Sequence, residues 1–120
     1  MSDVLFVEYP RCSTCRRAKA WLDEHGVPYQ DRDIVAQNPS AEELLDWQAR
    51  SGLPIRRLFN TSGRLYRERG LKQVLDAGVT DEEAASILAE DGMLVKRPLL
   101  VGDDFVLAGF RPAEWEAALC

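Results

Sequence analysis

Apolar positions fall into short runs and helical stripes that follow one another in a clear order. Val4, Leu5, Phe6 and Val7 form an unbroken apolar run, which fits a strand buried on both faces as in a parallel sheet. Tyr9 and Pro10 end it. Residues 13–25 favour helix: Cys15, Ala18 and Leu22 fall at i, i+3 and i+7, Trp21 flanks that stripe, and Gly26 is a natural stop. A second extended segment over about 27–34 completes a strand–helix–strand unit of roughly 30 residues. Parallel pairing through a right-handed crossover is expected for such a unit.

The middle of the chain reads as helical. Ser40 with Glu43 forms a capping box for a helix ending near Gly52, and Thr80 with Glu83 forms another for a helix ending near Gly92. Asn60, Thr61, Ser62 and Gly63 make a turn-rich break, and residues 64–70 and 71–75 each suit a short helix. Two apolar runs, 99–101 and 105–108, are separated by Gly102, Asp103 and Asp104, which predicts a hairpin. Pro112 suits the first turn of a closing helix that ends near Leu119. Strand–helix–strand followed by strand–strand–helix is the thioredoxin topology. The expectation is therefore an α/β fold with a mixed sheet of about four strands and an inserted helical segment over about 38–92, all within one domain spanning 1–120.

A length of 120 residues suits one such domain, and 46% apolar with 29% charged residues is the composition of a globular chain. No secretory signal is visible at the start, and apolar stretches break within about six residues, far short of a membrane span. A cytoplasmic protein with no membrane partner is expected. The formal charge of −5 argues against direct nucleic-acid binding, which needs a basic surface. Locally, Arg56, Arg57, Arg64, Arg67, Arg69 and Lys72 precede the acids Asp76, Asp81, Glu82, Glu83, Glu90 and Asp91. These segments predict either one basic face or a solvated surface of salt-bridged helices, the plainer of the two readings.

The candidate chemistry lies in Cys12 and Cys15. Cys12 falls where the first strand gives way to a helix, whose free N–H groups and positive dipole end favour a thiolate. Arg11, Arg16 and Arg17 are the cations nearest in sequence. Cys12 is the expected nucleophile. Cys15, on the stripe with Ala18 and Leu22, is expected to be more buried and to act as the resolving thiol. Residues three apart on a helix have Cα atoms roughly 5–6 Å apart, within disulfide range. Two alternatives are packing of two small apolar residues at a helix start and a zinc site. Zinc needs four ligands, and only His25 and Cys120 remain as further candidates; no metal is expected.

Tyr9-Pro10-Arg11-Cys12-Ser13-Thr14-Cys15-Arg16-Arg17-Ala18, with Arg97-Pro98 and Gly109-Phe110-Arg111-Pro112 downstream, resembles the arsenate reductase-like family. That family unites glutaredoxin-coupled arsenate reductases with the Spx-type transcriptional regulators of bacteria. The resemblance implies a thioredoxin-like fold with Pro98 in the cis form facing the cysteine loop. It also implies a thiol-dependent oxidoreductase with Cys12 attacking the substrate, a small oxyanion or a disulfide. No bound cofactor is implied; glutathione with glutaredoxin, or thioredoxin, would donate electrons as the redox partner. Of the three arginines that hold the oxyanion in the reductases, Arg97 and Arg111 match two. The third position falls at about Asn60, with Arg56, Arg57 and Arg64 nearby. Ser13 and Thr14 could offer backbone N–H groups to the oxyanion or cap the helix with their hydroxyls. The C-x-x-C pair resembles the regulators, for which RNA polymerase would be the partner and the disulfide a switch. A monomer is expected in either case.

Overall fold

The computed structural model describes residues 3–120. Four strands form one sheet in the order β2-β1-β3-β4. β1 (Val4–Glu8) runs parallel to β2 (Tyr29–Asp33) and antiparallel to β3 (Leu99–Val101), and β3 pairs antiparallel with β4 (Val106–Ala108). α1 (Ser13–Glu24) makes the crossover between the parallel strands, and α6 (Pro112–Leu119) closes the chain. Between β2 and β3 lie α2 (Ala41–Ser51), α3 (Arg64–Glu68), α4 (Leu71–Ala77) and α5 (Asp81–Leu88). This is the thioredoxin-like arrangement with its mixed four-stranded sheet.

β1 is central, and its side chains alternate between two cores as a pleated strand requires. Val4 and Phe6 pack with Ala18 and Leu22 of α1 and with Trp115 of α6. Val7 faces the other side, where Leu44 and Trp47 of α2 and Ala84, Ala85 and Leu88 of α5 form the larger core with Leu99. α1 is therefore held by the Cys15–Ala18–Leu22 stripe, all three residues fully buried. Both capping boxes are present. Ser40 accepts from the Glu43 N–H and Thr80 from the Glu83 N–H, while each glutamate accepts from the N–H of its cap residue. Gly52 ends α2 in the left-handed region at φ 71°, where a residue without Cβ is unstrained.

The bounds depart from the sequence reading most tellingly at β1, β4 and α5. β1 continues past its apolar run to include Glu8, because pairing with β2 extends to Asp33. β4 begins at Val106, and the Phe105 carbonyl instead accepts the Gly102 N–H to close the hairpin. α5 stops at Leu88 and not near Gly92, which opens a separate 3-10 turn over Gly92–Leu94. That glycine is needed for contact: a Cβ there would lie 2.1 Å from the Ile34 carbonyl oxygen.

The plainer reading of the charged segments holds for much of their length. Arg69 pairs with Glu90 at 2.7 Å, Lys72 with Asp76 at 2.9 Å, and Arg56 also with Asp76. Among the described residues no helix is long and apolar enough to cross a membrane.

Candidate functional site

α1 begins without an oxygen cap. Cys12 occupies the N-cap position in extended backbone geometry, and no side-chain cap hydrogen bond is formed there. The N–H groups at the helix start are thus left to a negative charge, and the sulfur that leads into them belongs to Cys12. Burial pushes the Cys12 thiol up, but the N–H of Cys15, the Cys15 thiol, the N–H of Thr14 and the charge of Arg97 together outweigh it. The Cys12 thiol is held below its ordinary value. Cys12 itself is half-buried.

Cys15 is its opposite. It is 0% exposed, and burial pushes its thiol up to about 12 despite a supporting N–H from Tyr9; the Cys12 thiol, the Cys12 charge and the Glu8 carboxylate raise it further. Both cysteines are free thiols, as is the exposed Cys120. The pair thus sets a thiol whose ionisation is favoured beside one whose proton is held.

A cavity of about 620 Å³ opens at Cys12. Its walls come from four separate stretches: Cys12 and Thr14, the segment from Arg56 to Gly63, Lys96 with Arg97, and the loop from Ala108 to Arg111. Hydrogen bonds fix these walls. The Asn60 N–H donates to the Leu94 carbonyl at 2.8 Å and the Lys96 N–H to the Leu58 carbonyl at 2.7 Å. The Gly109 N–H donates to the Pro98 carbonyl at 2.8 Å, while Trp115 Nε1 donates to the Gly109 carbonyl at 3.1 Å. Arg56, Arg57, Lys96, Arg97 and Arg111 all line the cavity, and no acid is among its described lining residues. Such a site attracts anions and favours negative charge on the sulfur.

The residues singled out in the sequence are placed unevenly. Cys12, Thr14, Arg97 and Arg111 share the cavity; Ser13 is exposed and does not line it. The Thr14 hydroxyl does not cap the helix but accepts from Arg17 at 3.3 Å. The Arg97–Pro98 peptide bond is cis. Arg111 makes a loose ion pair with Glu114 at 3.4 Å, whereas Arg97 has no carboxylate partner among the described residues and donates only to the Met93 carbonyl, at 3.4 Å. Asn60 lines the cavity at the expected third-arginine position; of the nearby arginines Arg56 and Arg57 do so too, and Arg64 instead pairs with Glu68 on the exposed side of α3. Arg56 is tied to Asp76, so Arg57 is the one without an ion pair among the described residues.

The cation beside Cys12 is Arg97, from 85 positions downstream, whereas the cations nearest in sequence, Arg11, Arg16 and Arg17, do not line the cavity. Those three are exposed: Arg16 reaches the Arg11 carbonyl at 3.4 Å and Arg17 the Thr14 hydroxyl. The sequence reading also passed over Glu8. Its signal was available, since extending the β1 alternation by one step puts Glu8 on the Val4–Phe6 face, toward α1. Among the described residues no group of three or more His, Cys, Asp or Glu is placed to hold a metal ion.

The comparisons agree with this architecture. The ArsC family profile matches residues 7–118. An uncharacterised protein of Bacillus subtilis, YusI, is 45% identical over 111 residues, 92% of this chain and 93% of its own length. The global transcriptional regulator Spx of Staphylococcus epidermidis is 27% identical over 105 residues, 88% of this chain and 78% of its own. The crystal structure of a possible arsenate reductase from Streptococcus mutans UA159 superposes with a TM-score of 0.89 at 44% identity, covering 99% of this chain and 100% of that one. A match across nearly the whole sequence, on a fold that sets the C-x-x-C loop against the residue before a cis proline, leaves one conclusion: the chain belongs to the ArsC family.

Proposed function

We propose that this protein is a thiol-dependent oxidoreductase in which Cys12 is the nucleophile and Cys15 resolves. The observation that carries this reading is the asymmetry of the two thiols. Cys12 stands at the mouth of a cationic cavity with its thiolate favoured, and Cys15 is sealed behind it with its proton held.

On a disulfide R–S–S–R′, the Cys12 thiolate attacks one sulfur, forms Cys12–S–S–R and releases R′S⁻. Cys15 then attacks the Cys12 sulfur, the Cys12–Cys15 disulfide forms, and RS⁻ leaves. The substrate gains two electrons and the protein loses them. Glutathione with glutaredoxin, or thioredoxin, returns them by exchange. The five cations suit a substrate with negative charge beside the reacting atom, including a small oxyanion such as arsenate held by Arg97, Arg111 and Arg57.

Reduced protein is supplied with arsenate, glutathione and glutaredoxin, and separately with thioredoxin and a disulfide substrate. Cys12→Ser abolishes turnover in whichever system is active, and Cys15→Ser accumulates a mixed disulfide detectable by mass. Turnover by both variants at the wild-type rate would end this reading.

A second reading is favoured by the Spx similarity together with the paired cysteines: a redox-sensing regulator whose disulfide alters a surface that binds RNA polymerase. Retention of RNA polymerase on the immobilised protein in one oxidation state supports it; no retention in either state counts against it.

A further inference from the structure

The cavity at Cys12 is larger and more highly charged than a lone oxyanion requires. Its volume of about 620 Å³ is that of a site for a whole small molecule. Even with Arg97, Arg111 and Arg57 gathered on one oxyanion, Lys96 is left on the wall without an ion pair among the described residues. Backbone, not an acid, positions it. The Lys96 N–H donates to the Leu58 carbonyl at 2.7 Å, and its side chain lies across Gly109, where a Cβ would come 3.2 Å from Lys96 Cε and 3.9 Å from Nζ. The ammonium group is thereby held over the loop that carries Phe110 and Arg111, two further wall residues.

The remaining walls are of two kinds. Thr61 and Ser62, both exposed, bring hydroxyl groups. Phe110 is half-buried, set edge-on against Trp115 at 4.9 Å and Trp21 at 6.3 Å between ring centres, and offers an aromatic surface. Guanidinium, ammonium and hydroxyl donors together suit phosphate, whose several oxygens can be shared among them. The aromatic side suits an apolar or ring-bearing part of the same ligand. With no acid among the described lining residues, an ammonium group on a ligand finds no partner there.

We propose that this site takes disulfides of a thiol that carries phosphate groups at a distance from its sulfur, the chemistry of coenzyme A, with Lys96 and Arg57 on the phosphates and Arg97 beside the reacting sulfurs. The inference rests on the roles given above to Cys12 and Cys15 and names a substrate class for them. The Cys12 thiolate attacks one sulfur of R–S–S–R, the S–S bond breaks, Cys12–S–S–R forms and RS⁻ leaves. The Cys15 sulfur then bonds to that of Cys12, its proton passes to water, and the second RS⁻ leaves. Two electrons move from the protein dithiol to the substrate, and the dithiol of thioredoxin returns them. Glutathione disulfide, which carries ammonium groups beside its carboxylates, is the poorer fit.

The test is a single turnover of the reduced full chain, with Cys120→Ser to remove the exposed thiol. Three probes are compared: coenzyme A disulfide, pantethine, which has the same thiol arm without phosphate, and glutathione disulfide. Quenched samples are weighed by mass spectrometry and the released thiol is measured. Coenzyme A disulfide should react roughly tenfold or more faster than either of the others at low salt. The ratio to pantethine should shrink toward one as salt rises. Lys96→Gln with Arg57→Gln should bring that ratio within about twofold of one, each variant being its own control because both probes present the same sulfur chemistry. Equal rates with coenzyme A disulfide and pantethine overturn the proposal and leave the thiol chemistry standing. So does a ratio that survives the double substitution, or glutathione disulfide reacting as fast as coenzyme A disulfide. No reaction with any of the three would instead remove the proposed function, and this substrate class with it.

Discussion

The Arg97 guanidinium lies 5.2 Å from the centre of the Tyr9 ring, so the residue before the cis proline is stacked on the residue that follows β1. The stacking fixes the charge beside the cysteine loop without using a carboxylate, which would cancel it.

Arg97→Ala should therefore slow alkylation of Cys12 several-fold near neutral pH and displace its pH profile upward, because a charge that favours the thiolate is lost. Arg97→Lys should keep part of the effect. Arg11→Ala and Arg17→Ala should leave the profile in place. Iodoacetamide labelling across a pH series, mapped by mass spectrometry, measures all four.

Anion affinity separates from thiol activation at Arg57. It lines the cavity without an ion pair among the described residues, and it does not figure among the groups acting on Cys12. Arg57→Ala should weaken binding of a small oxyanion by about 1.5–3 kcal/mol, the scale of a charge-assisted contact, and leave Cys12 alkylation unaltered. Calorimetric titration with arsenate at low and high salt checks this, and the difference should shrink as salt screens the site.

Glu8, buried at the end of β1, has a stability signature. Burial first, and the Asp31 charge second, raise its pKa above the ordinary carboxylate value of 4.5. The folded state then binds the proton more tightly than the unfolded state, so stability falls as pH rises from 4.5 through the raised value of Glu8. Glu8→Gln should melt higher than wild type at neutral pH, and the advantage should vanish at acid pH where Glu8 is protonated. Thermal unfolding of the two proteins between acid and neutral pH decides it; a Gln variant less stable at every pH would contradict the expectation.

Glu43 should behave in the opposite sense. Arg32 grips it through two hydrogen bonds, at 2.7 and 2.9 Å, and with the Ser40 cap holds its carboxyl down to about 2 against the cost of burial. Its contribution is complete above the ordinary value of 4.5 and is lost as pH falls toward 2. Glu43→Gln should cost about 1 kcal/mol near neutral pH, the scale of a helix cap and a partly exposed ion pair, and progressively less in acid. Denaturant unfolding at several pH values reads the difference.

What could be read in the chain was what is local. The two capping boxes, the α1 stripe and the stops at Gly26 and Gly52 depend on residues within a turn of each other, and each is found where the sequence puts it. Cys12 and Cys15 were legible for the same reason. Arg97 beside Cys12 was legible only through the family resemblance, since nothing within ten residues of Cys12 points to it. Glu8 was hidden by a different cause: a strand identified by its apolar run appears to stop where the first polar side chain begins, although backbone pairing continues. The walls of the cavity were visible as separate turns, but their meeting depends on the register of β1, β3 and the bridge between Phe59 and Val95.

That the walls come from four distant stretches has a consequence for the chain during its synthesis. A nascent polypeptide exposing only its first half already carries both cysteines but lacks Lys96, Arg97 and Arg111. Its leading sulfur would lack the Arg97 charge until the tail of the protein docks, so the part of its reactivity owed to that charge arrives only with the finished fold.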